Sequence, residues 1–137
     1  MEQAFWTVLT GTLVFSLGKI IDSLCIQPYI SYKKVIGEIT YQLVFYAQAY
    51  SSTMMRSEVQ DEASKKFRES ASRLQTYFNP ISWMNLPFVP TRSEVDEATS
   101  QLIGLSNSIP PRDKDTLDNS KRVNTIRKKL RIKFYNK

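Results

Sequence analysis

Two groups of residues have the types and spacing to act on a polar or charged partner. Thr12, Ser16, Lys19 and Ser23 recur at intervals of four, three and four. On a helix turning 100° per residue, three hydroxyls and an ammonium then fall within a sector of about 60°, a stripe that Gln27 extends. At the other end of the chain, residues 121–137 hold eight cations and no acid: Lys121, Arg122, Arg127, Lys128, Lys129, Arg131, Lys133 and Lys137. Such a run suits two anionic partners. A nucleotide or oligonucleotide would be held through its phosphates, with affinity falling steeply in salt, and Phe134 and Tyr135 would add base stacking. An anionic leaflet would attract each nearby cation by ~1 kcal/mol. A solvated end that only confers solubility is the plain alternative.

The remaining chemistry is narrow. The 137 residues include no His and a single Cys, Cys25. A Ser-His-Asp or Cys-His relay, a His-built metal site, an internal disulfide and a Cys cage are thereby excluded. Four Gly leave little room for a glycine-rich phosphate loop. A hydrolase would need a carboxylate pair such as Asp61/Glu62 or Asp96/Glu97, and both sit on apparent solvent faces beside cations. No catalytic residue, metal ligand or cofactor is expected, and the chain reads as a non-enzyme. With 19 Lys and Arg against 13 Asp and Glu, the formal charge is +6, concentrated in residues 111–137, which hold ten basic and three acidic groups.

The polar stripe lies on an apolar head. Residues 3–18 carry no charge, Lys19 and Asp22 interrupt, and the apolar run continues to position 30. The ~20 residues that cross a bilayer fit within 4–24, with Lys19 extending its stem toward the headgroups. A secretory signal is the rival, but the basic n-region and the A-x-A site are missing, so a retained span is expected. Lys19, Lys33 and Lys34 flank the span on its C-terminal side, which places the N-terminus outside and residues 30–137 in the cytoplasm. Trp6, Tyr29 and Tyr32 suit the two interfaces. Opposite the polar stripe, Thr7, Gly11, Val14 and Gly18 form a second stripe of mostly small residues that lets helices approach. Self-bonded hydroxyls and a snorkelling Lys19 are one reading. The other is an oligomer that packs through the small stripe and turns the polar one inward, because one helix cannot enclose a pore.

Beyond the head the pattern is helical throughout. Pro28 is expected to end or kink the first helix. From Tyr32 a second helix carries Val35, Ile39, Leu43, Tyr46 and Tyr50 on one face, and Ile36, Phe45 and Ala47 widen it so far that cover on most sides is expected. Only residues 39–55 of this segment are uncharged and they include several polar groups, so a second span is the lesser alternative and membrane contact of residues 36–55 stays open. Residues 58–78 form an amphipathic helix with Val59, Ala63, Phe67, Ala71, Leu74 and Phe78 inward, stopped by Asn79-Pro80. In the proline-bounded stretch 80–90, Trp83, Met84, Leu86 and Phe88 are expected to plug a gap between helices, an exposed recognition loop being the alternative. Thr91 and Glu94 make a capping box for a helix with Val95, Ala98, Leu102, Leu105 and Ile109 on its core edge. After Pro110-Pro111, a charged linker through Asn119 precedes a final helix from about Ser120, with Val123, Ile126, Leu130 and Phe134 as its apolar edge. The expected fold class is all-α, an N-terminal transmembrane helix followed by a small cytosolic helical bundle, oligomeric because so small a body gains from association. The divisions are 1–30 for the transmembrane helix and flanks, 31–110 for the helical domain and 111–137 for the basic linker and helix.

The phrase KKVIGEITYQLVFYAQAY directly after a single apolar helix, followed by VPTRSEVDEATSQLIGLSNSI, resembles a family of small bacterial single-span membrane proteins with a helical cytosolic domain, over about residues 4–110. The architecture is also similar to the small membrane effectors of bacterial anti-phage operons, in particular the effector of Hailong-type systems. That resemblance implies a homo-oligomeric channel in the bacterial inner membrane, a tetramer, controlled by an oligonucleotide from a nucleotidyltransferase encoded alongside. On this reading Thr12, Ser16, Lys19 and Ser23 line the pore, Thr7, Gly11 and Gly18 pack helices, and Lys121, Arg122, Arg127, Lys128, Lys129, Arg131 and Lys133 bind the ligand. Opening would stop growth by depolarisation. The alternative is a membrane-anchored adaptor or scaffold that recruits a cytosolic partner and conducts nothing.

Overall fold

The computed structural model describes residues 1–52, 56–84, 86–109 and 115–133, and among these there are helices and no strands. Helix α1 (Glu2–Ile21) has no buried residue. It does not end at Pro28. Proline has no N–H for the carbonyl of Leu24, and its ring would crowd that carbonyl in a regular helix. The turn before it widens instead: Asp22–Ile26 is a π turn in which the Gln27 N–H reaches the Asp22 carbonyl, five residues back. The helix then continues without a break as α2 (Gln27–Phe45), giving 44 helical residues from Glu2 to Phe45. The expected division at residue 30 therefore falls inside a continuous helix.

At Tyr46 the backbone leaves the helical region, and a short α3 (Ala47–Ser51) turns the chain. Helix α4 (Ser57–Phe78) returns along α2. Four pairs fix the antiparallel register. Tyr46 Oη donates to Glu62, Ser70 Oγ to Gln42, and Arg73 to both oxygens of Glu38 at 2.6 and 3.2 Å. The Tyr32 and Phe78 rings meet at 5.8 Å. Between these polar ties Tyr32, Val35, Ile39 and Leu43 are buried against Ala63, Phe67, Ala71, Leu74 and Phe78, the two apolar edges that the four-residue periodicities foretold.

Helix α5 (Arg92–Asn107) runs antiparallel to α4. Gln75 donates to Asp96 and Thr99, and Ser64 donates to the Ser106 carbonyl. Its start is the expected capping box: the Glu94 N–H bonds Thr91 Oγ1, and the Glu94 carboxylate accepts the Thr91 N–H. Helix α6 (Asp115–Lys129) reverses once more, with Ser108 on Asn119, Gln101 on Arg122 and Glu97 on Lys129. It begins five residues earlier than the charge pattern suggested. Asn119, expected in a linker, is fully buried and donates to the Tyr50 carbonyl at 3.0 Å while accepting from Ser108 Oγ at 2.5 Å.

In the series α2, α4, α5 and α6, each helix after the first thus runs opposite to its predecessor. One end of the bundle gathers Tyr29, Tyr32, Phe78, the stretch after it, Thr91–Glu94 and residues 130–133. The other gathers Tyr46, Tyr50, Ser106 and Asn119.

Two further expectations fail. The second helix is not covered on most sides: Tyr41, Val44 and Phe45 are exposed, because α4 occupies only the face opposite them. Trp83, Leu86 and Phe88 plug no gap and are likewise exposed. Ile81 and Val89 are buried there instead, and Met84 packs partly against the core.

Candidate functional site

The long helix presents three distinct faces. Thr12, Ser16, Lys19 and Ser23 are all exposed along one side. The Thr12 hydroxyl donates to the Val8 carbonyl at 2.9 Å, as Thr7 and Thr10 do to Gln3 and Trp6. These self-bonded hydroxyls have spare acceptor capacity toward a neighbour, while their protons are taken. Thr7, Gly11 and Val14 line a shallow groove with Trp6, Thr10 and Phe15. A methyl group added at Gly11, Gly18 or Gly37 would meet nothing within 4 Å, so all three glycines border open space.

The π turn decides which faces align. It holds one residue more than an α turn, so every residue beyond it takes the direction of its predecessor, a shift of about 100°. With that shift Ile30, Gly37, Tyr41 and Val44 join Thr7, Gly11, Val14 and Gly18 in one sector about 80° wide. The bundle's core residues Tyr32, Val35, Ile39 and Leu43 lie on the opposite side. One small-residue and apolar face therefore runs the length of the helix, turned away from the body that packs on it. Glu2–Phe45 is also the one helix among the described residues long and apolar enough to cross a membrane, and none of its most apolar window is buried.

The basic cluster occupies the end of the bundle nearest α1, and several of its charges are already engaged. Lys129 Nζ lies 2.6 Å from Glu97, and this contact holds the Lys129 ammonium above its ordinary value. Glu94 is held below the usual carboxylate range, chiefly by its bond from the Thr91 N–H, with Arg131 and Lys129 adding to the effect. Lys121 pairs with Asp118 at 3.6 Å. Arg122 bonds Gln101, and its guanidinium lies against the bare Cα of Gly104, where a Cβ would collide with it. Arg127 is half-buried, while Lys128 and Lys133 are exposed. Phe134, Tyr135 and Lys137 lie outside the described residues.

Arg131 has the one non-glycine positive φ among the described residues, 56°. It ends α6 in a Schellman motif, with Ile132 N–H on the Arg127 carbonyl and Arg131 N–H on that of Lys128. Glycine usually takes this position, and an arginine there carries backbone strain. Its guanidinium offsets this by donating to the Pro87 carbonyl and pairing with Glu94. The structure thus brings Arg127, Lys128, Lys129, Arg131 and Lys133 together at one end. Lys121 and Arg122 lie one to three turns further along α6.

Of the two carboxylate pairs, Asp61, Glu62 and Asp96 are exposed and Glu97 is half-buried. Glu62 accepts the Tyr46 hydroxyl, which burial and that bond push up to about 12. Asp96 accepts from Gln75 and Glu97 from Lys129. The Tyr32 hydroxyl, beside the basic end, is buried with no hydrogen-bond partner among the described residues. Of the residues the sequence reading missed, Asn119 had a visible signal: counting back from Leu130 through Ile126 and Val123 in steps of four, three and four lands on it. No protein-family model, curated protein or solved structure matches the chain.

Proposed function

We propose that the chain is a single-span membrane effector that self-associates, as a tetramer, into a gated conduction pathway controlled by an anionic cytosolic ligand. Copies pack through the face that runs from Thr7, Gly11 and Gly18 to Gly37, Tyr41 and Val44. Thr12, Ser16, Lys19 and Ser23 line the pathway, where an ammonium favours anions or acts as an electrostatic gate. Residues Lys121, Arg122, Arg127, Lys128, Lys129, Arg131 and Lys133 hold a phosphate-rich nucleotide or oligonucleotide. The bacterial anti-phage setting, with a nucleotidyltransferase supplying the ligand and depolarisation arresting growth at the inner membrane, rests on the resemblance of architecture described above.

The observation that carries the reading is the unbroken helix. Its second half is the first helix of the body, so a ligand that shifts the body acts on the span without a flexible linker between them. A second reading, a non-conducting anchored adaptor, is favoured by the threonine hydroxyls that bond their own backbone. The test pairs the mass of the detergent-solubilised full chain with a membrane-potential dye in expressing cells. An oligomer that depolarises cells is the expected result. A monomer that leaves the potential unchanged overturns the channel and leaves the adaptor.

A further inference from the structure

We propose that Trp83, Leu86 and Phe88 form a shallow foot that enters the headgroup region of the bilayer crossed by α1. The inference rests on the single-span reading above. The three side chains are 67, 40 and 51% exposed, and large apolar groups left in open water on one short stretch of chain mark a contact surface. Their backbone is held outward by a defined frame. Ile81 and Val89 are buried on either side, Met84 N–H bonds the Ile81 carbonyl and Val89 N–H that of Leu86. Trp83 Nε1 donates to the Pro80 carbonyl at 2.8 Å, and the Arg131 guanidinium reaches the Pro87 carbonyl.

The occupant follows from where this frame sits. The Phe88 ring meets Tyr29 edge-on at 5.9 Å. Tyr29 lies five residues beyond the end of the expected span, about 8 Å along the helix, which is the depth of the headgroup layer. Trp and Tyr collect at that depth because one end of the ring is apolar and the other wet. Lys33, whose ammonium lies over the Tyr29 ring, and Lys34 and Arg92 are exposed at the same end of the bundle and complement anionic headgroups. An apolar foot framed by cations and continuous with a membrane helix fits a lipid surface better than a soluble protein.

The chain has two tryptophans, so Trp6→Phe leaves Trp83 as the sole reporter in the full protein. The variant is reconstituted in phosphatidylcholine/phosphatidylglycerol vesicles. Its fluorescence is challenged with lipids brominated at shallow or deep acyl positions and with aqueous acrylamide. The expected result is stronger quenching by the shallow bromines than by the deep ones, and an acrylamide slope severalfold below that of free tryptophan amide. Full acrylamide quenching without lipid quenching overturns the foot by placing it in water. Protection from both quenchers overturns it too, by placing Trp83 against a second copy or another protein. The companion Trp83→Phe reports Trp6 alone. Lipid quenching of Trp6 but not of Trp83 defeats the foot and leaves the span standing, whereas no lipid quenching of either defeats both.

Discussion

Replacing Asn119 by Ala tests whether the start of α6 is part of the core. The side chain is fully buried and joins α6 to α3 and to the end of α5. Truncation leaves the Tyr50 carbonyl without its donor, a loss of about 1–3 kcal/mol for a buried polar group. Ser108 is spared, because the Leu105 carbonyl lies 2.9 Å from its hydroxyl and can take the proton that Asn119 shares. The small void adds about 1 kcal/mol, so the expected loss is about 2–4 kcal/mol of the about 5–15 kcal/mol that holds a domain. Asn119→Asp should lose more at neutral pH, since a carboxylate would face that carbonyl. Its deficit should shrink as pH falls, because protonation restores a donor. The assay is denaturant unfolding of the full chain in detergent, followed by circular dichroism, with the exposed Asn124→Ala on the same helix as control. A loss for Asn119→Ala within about 0.5 kcal/mol of the control, the range of surface substitutions, would refute the tie.

Lys19→Glu should alter conductance in liposomes and toxicity in cells at unchanged abundance; unaltered ion flux removes Lys19 from the pathway. Neutralising Arg127, Lys128, Lys129 and Arg131 to Gln should weaken binding of short single-stranded oligonucleotides and reduce the slope of log affinity against log salt by up to about 3; unchanged isotherms argue against the tail site. Because Glu94 has a lowered folded value, its ionised form contributes stability in full above the ordinary carboxylate value of about 4.3, and that contribution is lost as pH falls through the lowered one. The stability gap between wild type and Glu94→Gln should therefore be constant near neutrality and close only in acid; a gap that widens in acid contradicts the assignment. Deleting Leu24 together with Pro28→Ala should convert the π turn to a regular helix and rotate α1 by about 100° against the body. Depolarisation should be lost while unfolding in detergent is unaffected, and retained depolarisation would show that the two halves need no fixed register.

The elements whose apolar positions recur at helical spacing were legible in the sequence. Val35, Ile39 and Leu43, then Ala63 through Phe78, then Val95 through Ile109, all face the core, because burial of one stripe is what organises an amphipathic helix. The capping box was legible for a local reason, since Thr91 and Glu94 satisfy each other within one turn. What hid from the sequence depended on neighbours. Pro28 looked like a stop or a kink, and the extra residue of the π turn lets the helix pass it. The stretch around Trp83 looked like filler because hydrophobicity alone does not say which side of a loop faces the core. Asn119 was masked by charged neighbours. The tail's cations were legible as a cluster, but their pairing with Glu94 and Glu97 depends on α5 running antiparallel to α6.

The position of the charges bears on how a ligand would act. An effector can shift an equilibrium only by differential contact with two states. Anything bound at Arg127, Lys128 or Lys133 contacts the end of the bundle where Arg131 braces the Pro87 carbonyl and pairs with Glu94. Phe88 and Phe78, on that same stretch of chain, meet Tyr29 and Tyr32. Both tyrosines lie within the first two turns after the π turn, where Pro28 has removed one backbone hydrogen bond. Kinks form where the ladder is already broken, so this is the place at which the helix changes direction at least cost. A displacement of α6 by a bound polyanion would pass through these two aromatic contacts to the point where the ladder of the long helix is broken. Binding at the opposite end, around Asn119, would have to act through the whole packed length of α2 and α4. The location of the basic cluster, more than its charge, is the reason to connect it with the span.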